Sequence, residues 1–196
     1  TSGGGEQFLD FIEKELLVKI DLNYRTEPCR ILVGHSLGGL LAVHSFISRS
    51  RSFNAFIAID PILCYDDQVL LKRISLMPAD TVLNGKLYVS SAVDTSGMER
   101  KSQDDFFRIL RSKNIQPRQF DFQYFKDENH VSVPLISLYY GLLFTFKGFS
   151  GIADPYSKSL AEIKKQYDDL SEDLGYRIFP REGLINRIGY HHLYQT

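Results

Sequence analysis

In the segment Gly34-His35-Ser36-Leu37-Gly38, a serine stands at the centre of a G-x-S-x-G pattern. That arrangement turns a hydroxyl into a nucleophile for acyl transfer when it lies on a sharp strand-to-helix turn. The hydroxyl attacks a carbonyl only if a base removes its proton, and histidine suits that task near neutral pH. Of the five histidines, His35 lies inside the motif, His44 lies in the helical run after it, and His191 and His192 sit in a C-terminal helical stretch. His130, in Lys126-Asp127-Glu128-Asn129-His130, follows the last predicted strand and precedes a helix. It is the expected general base, and then the acid that protonates the leaving group. Asp94, ending Ser90-Ser91-Ala92-Val93-Asp94, is the first candidate for the acid that orients the imidazole. Glu128 and Asp60 are alternatives, and so is a Ser–His dyad with no carboxylate. The backbone N–H of Leu37 is expected to donate to an oxyanion. A second donor belongs on a loop after an earlier strand, which the reading places outside these residues.

The elements that must position these groups are legible from hydrophobic periodicity and turn residues. Glu6 to Ile20 carries Phe8, Phe11, Ile12, Leu16 and Leu17 at helical spacing. The apolar run Arg30 to Val33 predicts a buried parallel strand, and a helix from the elbow to about Ser48 follows. Phe53 to Ile59 predicts a second strand closed by Asp60-Pro61, Asp66 to Leu76 a short helix, and Lys86 to Ser91 a third strand. Ser102 with Asp105 reads as a capping box opening a helix to about Asn114. Gln119 to Phe125 alternates polar and apolar residues, as a strand near a sheet edge does. Alternating strands and helices predict a parallel sheet with right-handed crossovers. With the nucleophile on the first of only four strands, one edge is expected to lie open where upstream strands would pair. The domain organisation expected is a catalytic α/β domain over 1–150 and a small helical hairpin over 151–196. In the hairpin, Ser157 to Leu174 is one helix ended by Gly175, and Arg181 to Tyr194 the other.

Composition narrows the function classes. The 196 residues are 43% hydrophobic and 24% charged, with a formal net charge of −1 and no dense basic cluster, which speaks against a nucleic-acid surface. The longest apolar stretch, Leu138 to Phe146, contains Tyr139, Tyr140 and Thr145 and falls short of a membrane span. Cys29 and Cys64 read as free thiols without metal-site spacing, a disulfide between them staying open. No P-loop, calcium loop or His-x-x-x-His pattern appears, so no cofactor and no metal are expected. The expected partner is a small-molecule ester, with protein contacts through the C-terminal helices as a further expectation. Periplasm and cytoplasm of a bacterium both stay open.

Taken together, Gly3-Gly4, Phe8, Phe11-Ile12-Glu13, Glu15-Leu16, Tyr24-Arg25-Thr26, Gly34 to Gly39, Asp60-Pro61 and Asn129-His130 with Val133-Pro134-Leu135 resemble the putative-esterase family of α/β-hydrolases. Within it, the chain is most similar to bacterial enterobactin-type ferri-siderophore esterases, over about Thr1 to Phe149. The resemblance implies an α/β-hydrolase fold, of which this chain would be the C-terminal part. It also implies serine hydrolysis of carboxylic esters, trilactone siderophores among them, with Ser36 and His130 as nucleophile and base. An acyltransferase of the same fold and a non-catalytic binding module are the alternatives. The chain departs from the family in having Ile62-Leu63-Cys64-Tyr65 and no tryptophan after Asp60-Pro61. Only Arg30, Arg49 and Arg51 offer themselves to an anionic substrate. Separately, Tyr167, Leu170 and Leu174-Gly175-Tyr176 resemble one tetratricopeptide-type repeat.

Overall fold

The computed structural model describes residues 3–95, 97–113, 120–148 and 158–194. Residues 114, 119, 149, 154–155 and 157, which the sequence reading places at element ends or in the linker, lie outside them. The chain divides into two units, Thr1–Thr145 and Phe146–Thr196.

The first unit is built on a four-stranded parallel sheet in the order β1-β2-β3-β4. The strands are β1 (Ile31–His35), β2 (Ala55–Ile59), β3 (Lys86–Ala92) and β4 (Phe120–Phe125). β2 and β3 are buried along their whole length; β2 accordingly reads as a continuous apolar run, while β3 also buries Lys86, Ser90 and Ser91. The register sets Val33 beside Ile57, Ile57 beside Tyr88 and Tyr88 beside Asp121. Because successive side chains point to opposite faces, Phe56, Ala58, Leu87 and Val89 join one core and Ile57, Ile59 and Tyr88 the other.

Helices cover both faces. The first core takes in side chains from the N-terminal helix, α3 (Leu37–Ser48), α4 (Tyr65–Ser75) and α5 (Gly97–Ser112). The N-terminal helix runs as α1 (Gly5–Phe11), a π-helical segment Ile12–Leu16 and α2 (Leu17–Asn23). The opposite core is closed by Val133, Ile136 and Phe144 of α6 (Val133–Thr145). The buried Lys86 ammonium donates to the Thr145 carbonyl at 3.0 Å, satisfying the end of α6 where the helix dipole favours a cation.

One predicted boundary is corrected. Ser102 does not open α5, which begins at Gly97; Ser102 is buried inside it and its hydroxyl donates to the Met98 carbonyl. A serine can satisfy itself against the carbonyl one turn back, so the capping signal was ambiguous.

The nucleophile strand β1 lies at the edge, with Val33 exposed. Phe8, Phe11, Val18 and Leu22 on the N-terminal helix are exposed too.

The second unit contains α7 (Leu160–Leu174) and α8 (Glu182–Tyr194). Ile163, Tyr167, Leu170, Leu174, Ile178 and Ile188 form its own core. Ser159 and Glu162 close a capping box at the start of α7, and Gly175 ends it in the left-handed conformation (φ +68°).

Candidate active site

The elbow is the turn from β1 into α3. Ser36 sits between them at φ +59° and ψ −116°, a region costly for a residue with a side chain. The surroundings over-determine that strain. Ser36 N donates to Ile59 O of β2 at 2.9 Å, and Leu40 N donates to Ser36 O at 3.0 Å as α3 begins. A Cβ on Gly34 would be driven into the Gly38 carbonyl, and one on Gly39 would press on Ile59 O and Pro61 at 3.0 and 3.1 Å. A Cβ on Gly38 would meet open space. The steric need thus falls on the first glycine of the motif and on the glycine after it, not on its last. Leu37 begins α3, so its N–H belongs to the first helical turn, where backbone donors lack helical partners and the dipole favours an anion.

His130 is carried to this turn from the loop after β4. Its ring lies 4.4 Å, centroid to centroid, from the ring of His35, the residue before Ser36. The loop is held from both sides. Asn129 Oδ1 accepts from Val131 N and Ser132 N, Ser132 Oγ accepts from Asn129 N, and Val133 N donates to Asn129 O as α6 starts. The His130 backbone N–H donates to Asp94 Oδ1 at 2.8 Å.

The ring's own partner is Asp60. His130 Nδ1 and Asp60 Oδ2 are 2.7 Å apart, the carboxylate being 3% exposed and the imidazole 40%. This corrects the sequence expectation of Asp94: that carboxylate is spent on the backbone of the histidine loop. Glu128 lends the loop its carbonyl, which accepts from Val93 N at 2.9 Å. Asp60 ends β2, the strand next to β1, whereas Asp94 follows β3, one strand spacing of about 4.8 Å further from the elbow. Asp60 itself has φ +41°, and its N–H donates to Ser90 O at 2.9 Å.

The other oxygen of Asp60 is also satisfied. Oδ1 accepts from Thr95 Oγ1 at 2.8 Å, from Gln103 Nε2 at 3.3 Å and from Ala92 N at 3.4 Å. Sequence reasoning missed both side chains, since a threonine in a turn and a glutamine on a helix carry no local signal of this role. A cavity of about 190 Å³ opens beside the pair, lined by Ile62, Asp94, Thr95, Glu99 and Gln103 among others. Among the described residues, no group of three or more His, Cys, Asp or Glu side chains is placed to hold a metal ion. Cys29 and Cys64 are both free thiols, and burial pushes both upward from the usual thiol range. No helix is long and apolar enough to cross a membrane among the described residues.

His35 packs on His130, with its Nε2 buried and without a hydrogen-bond partner among the described residues. His44 pairs with Glu6 at 2.8 Å, and His191 lies on α8. Two of the three arginines considered for an anionic substrate are engaged elsewhere: Arg49 with Glu6, Asp10 and Glu13, and Arg30 with Asp21.

Comparison with known proteins agrees with this architecture. The chain is 26% identical over 138 residues to the ferri-bacillibactin esterase BesA of Bacillus subtilis (strain 168), covering 67% of this chain and 48% of that protein. It is 35% identical over 71 residues to the siderophore triacetylfusarinine C esterase of Aspergillus fumigatus, covering 35% of this chain and 24% of that one. Among solved structures, an IroE-like serine hydrolase from Shewanella oneidensis superposes with a TM-score of 0.77 at 29% identity, over 98% of this chain and 63% of the other. The chain therefore spans about half the length of BesA and under two thirds of the Shewanella hydrolase. The family pattern described as "Putative esterase" matches residues 1–114, which hold Ser36 and Asp60 but not His130. The sheet, the elbow and this match agree: the chain belongs to the Putative esterase family, with the α/β-hydrolase type of fold.

Proposed function

We propose that this chain carries the catalytic centre of a serine hydrolase that cleaves carboxylic esters, siderophore-type lactone esters being the favoured substrates. The observation that carries the reading is the strained Ser36 following His35, whose ring packs 4.4 Å from that of His130, while His130 Nδ1 is held by the buried Asp60 at 2.7 Å. With Nδ1–H donated to Asp60, the ring's other nitrogen, Nε2, is the basic one. Nε2 takes the Ser36 proton as Oγ bonds to the ester carbonyl carbon. The carbonyl oxygen becomes an oxyanion that receives the Leu37 N–H. Collapse breaks the bond to the alcohol oxygen, which leaves with the proton from His130. Water, deprotonated by the same imidazole, then releases the acid and restores the serine. Asp60 fixes the tautomer and stabilises the imidazolium, while Asp94 fixes the backbone that presents it.

Siderophore esters are favoured because BesA and the Aspergillus esterase act on them by name. The domain reading is a catalytic part over 1–150 and a tetratricopeptide-like hairpin over 151–196 that offers a protein-contact surface. It is supported by the separate core of α7 and α8. The test is fluorophosphonate labelling with turnover of an ester panel that includes intact siderophores. Label on Ser36 and hydrolysis of at least one ester are expected. Label retained by Ser36→Ala would overturn the nucleophile assignment, and product carrying an added alcohol instead of free acid would indicate transfer.

A further inference from the structure

Gln103 is an unusual tenant of its site. It lies on α5 among Phe106, Phe107 and Leu110, fully buried. Packing alone would be served by leucine or methionine, without the cost of stripping water from a carboxamide. That cost is visible here, because Gln103 Oε1 is buried with no hydrogen-bond partner among the described residues. What the side chain gains is on its nitrogen. Nε2 donates to Asp60 Oδ1 at 3.3 Å and to the Pro61 carbonyl at 3.1 Å. Both acceptors belong to the turn that ends β2, so one amide group grips the carboxylate and the backbone next to it.

We propose that Gln103 is a positioning residue for the reaction, acting through Asp60; this rests on the Ser36–His130–Asp60 reading above. A carboxylate that is 3% exposed has lost most of its water, and hydrogen-bond donors must take that place. Thr95 and Ala92 approach the same oxygen from the β3 side, and Gln103 approaches it from α5. With Oδ1 occupied from both sides, the carboxylate cannot rotate freely. Oδ2 is left as the one oxygen turned to His130 Nδ1. Without the amide, Asp60 loses a donor and an anchor, and the imidazole loses the fixed acceptor that defines its tautomer.

The test is Gln103→Met, which keeps the unbranched stem and the volume but removes the amide, in the full-length protein. Gln103→Leu takes its place if the first variant does not fold, as judged by thermal unfolding. The expected result is a fall in kcat of about 10- to 100-fold, the usual cost of removing a support behind a catalytic group, with KM within about twofold of wild type. The decisive arm is a double-mutant cycle with Asp60→Asn. In that background Gln103→Met should cost nothing further. An equal loss in both backgrounds would mean that Gln103 only packs, and would overturn the proposal. So would a raised KM with kcat unchanged. A low-field proton resonance from His130 Nδ1–H gives a readout independent of turnover. It should be present in wild type and weakened or shifted in Gln103→Met, and an identical resonance in both would refute the role. If the wild type neither labels nor hydrolyses esters, the functional reading fails, and the resonance still decides what Gln103 does for Asp60.

Discussion

In the proposed site, Ser36, Asp60 and His130 stand on three loops at one end of a parallel sheet, and each residue's role depends on which atom it offers. The two aspartates near His130 make the distinction concrete. Asp60 meets the ring and Asp94 meets the backbone of the same residue. Asp60→Asn should therefore lower kcat by about 10⁴-fold, because an amide at that position favours the wrong imidazole tautomer. Asp94→Asn should cost far less, its effect coming from a looser loop; equal losses in steady-state kinetics would void this division of labour. The glycines separate in the same way. Gly34→Ala should destabilise by about 3 kcal/mol or more, since its Cβ has no room. Gly38→Ala should instead stabilise α3 by about 0.5–1 kcal/mol, its Cβ facing open space. Chemical denaturation of the two variants distinguishes them.

At the scale of elements, the N-terminal helix is tied to the end of α3 by charge. Arg49 reaches Glu6, Asp10 and Glu13 at 2.6, 2.6 and 3.1 Å, and His44 pairs with Glu6. The Arg49 guanidinium, and then His44, hold the Glu6 carboxyl below its ordinary value of 4.5. Lys14, and then Arg49, do the same for Asp10. A carboxyl lowered in the folded state contributes stability that is complete above its unfolded value and is lost as pH falls through the folded one. Acidification below about pH 4.5 should therefore loosen this helix, and Arg49→Ala should flatten that acid limb. Hydrogen exchange over residues 5–23 would report it; unchanged acid sensitivity in the variant would count against the network. β1 raises a second expectation. An exposed edge strand with Val33 outward invites pairing with another chain. The 196-residue polypeptide studied by itself should self-associate at micromolar concentration, and Val33→Lys should reduce this in sedimentation measurements.

For the whole molecule, the two units have separate cores, so damage to one need not reach the other's chemistry. Ile188 is 1% exposed within the C-terminal core. Ile188→Ala should cost about 2–5 kcal/mol locally and raise hydrogen exchange in α7 and α8. Fluorophosphonate labelling of Ser36 should remain at its wild-type rate, and a large fall would show that the unit holding Ser36 relies on the C-terminal one. The β/α alternation, the elbow and both C-terminal helices are legible in the sequence. Each rests on short-range patterns, such as apolar runs, helical spacing and the glycine after α7. The start of α5 was misread because a buried serine bonded to its own helix imitates a cap.

Local sequence alone determined that Ser36 stands on a strand-to-helix bend and marked His130, in the loop between β4 and α6, as the candidate base. Only the tertiary structure decided that Asp60 and not Asp94 meets the imidazole, and that Thr95 and Gln103 stand behind it. The reason is geometric. Which carboxylate reaches a ring depends on which strands are adjacent and on the direction each loop turns its side chains. Those are properties of the packed sheet, to which no single stretch of chain gives access.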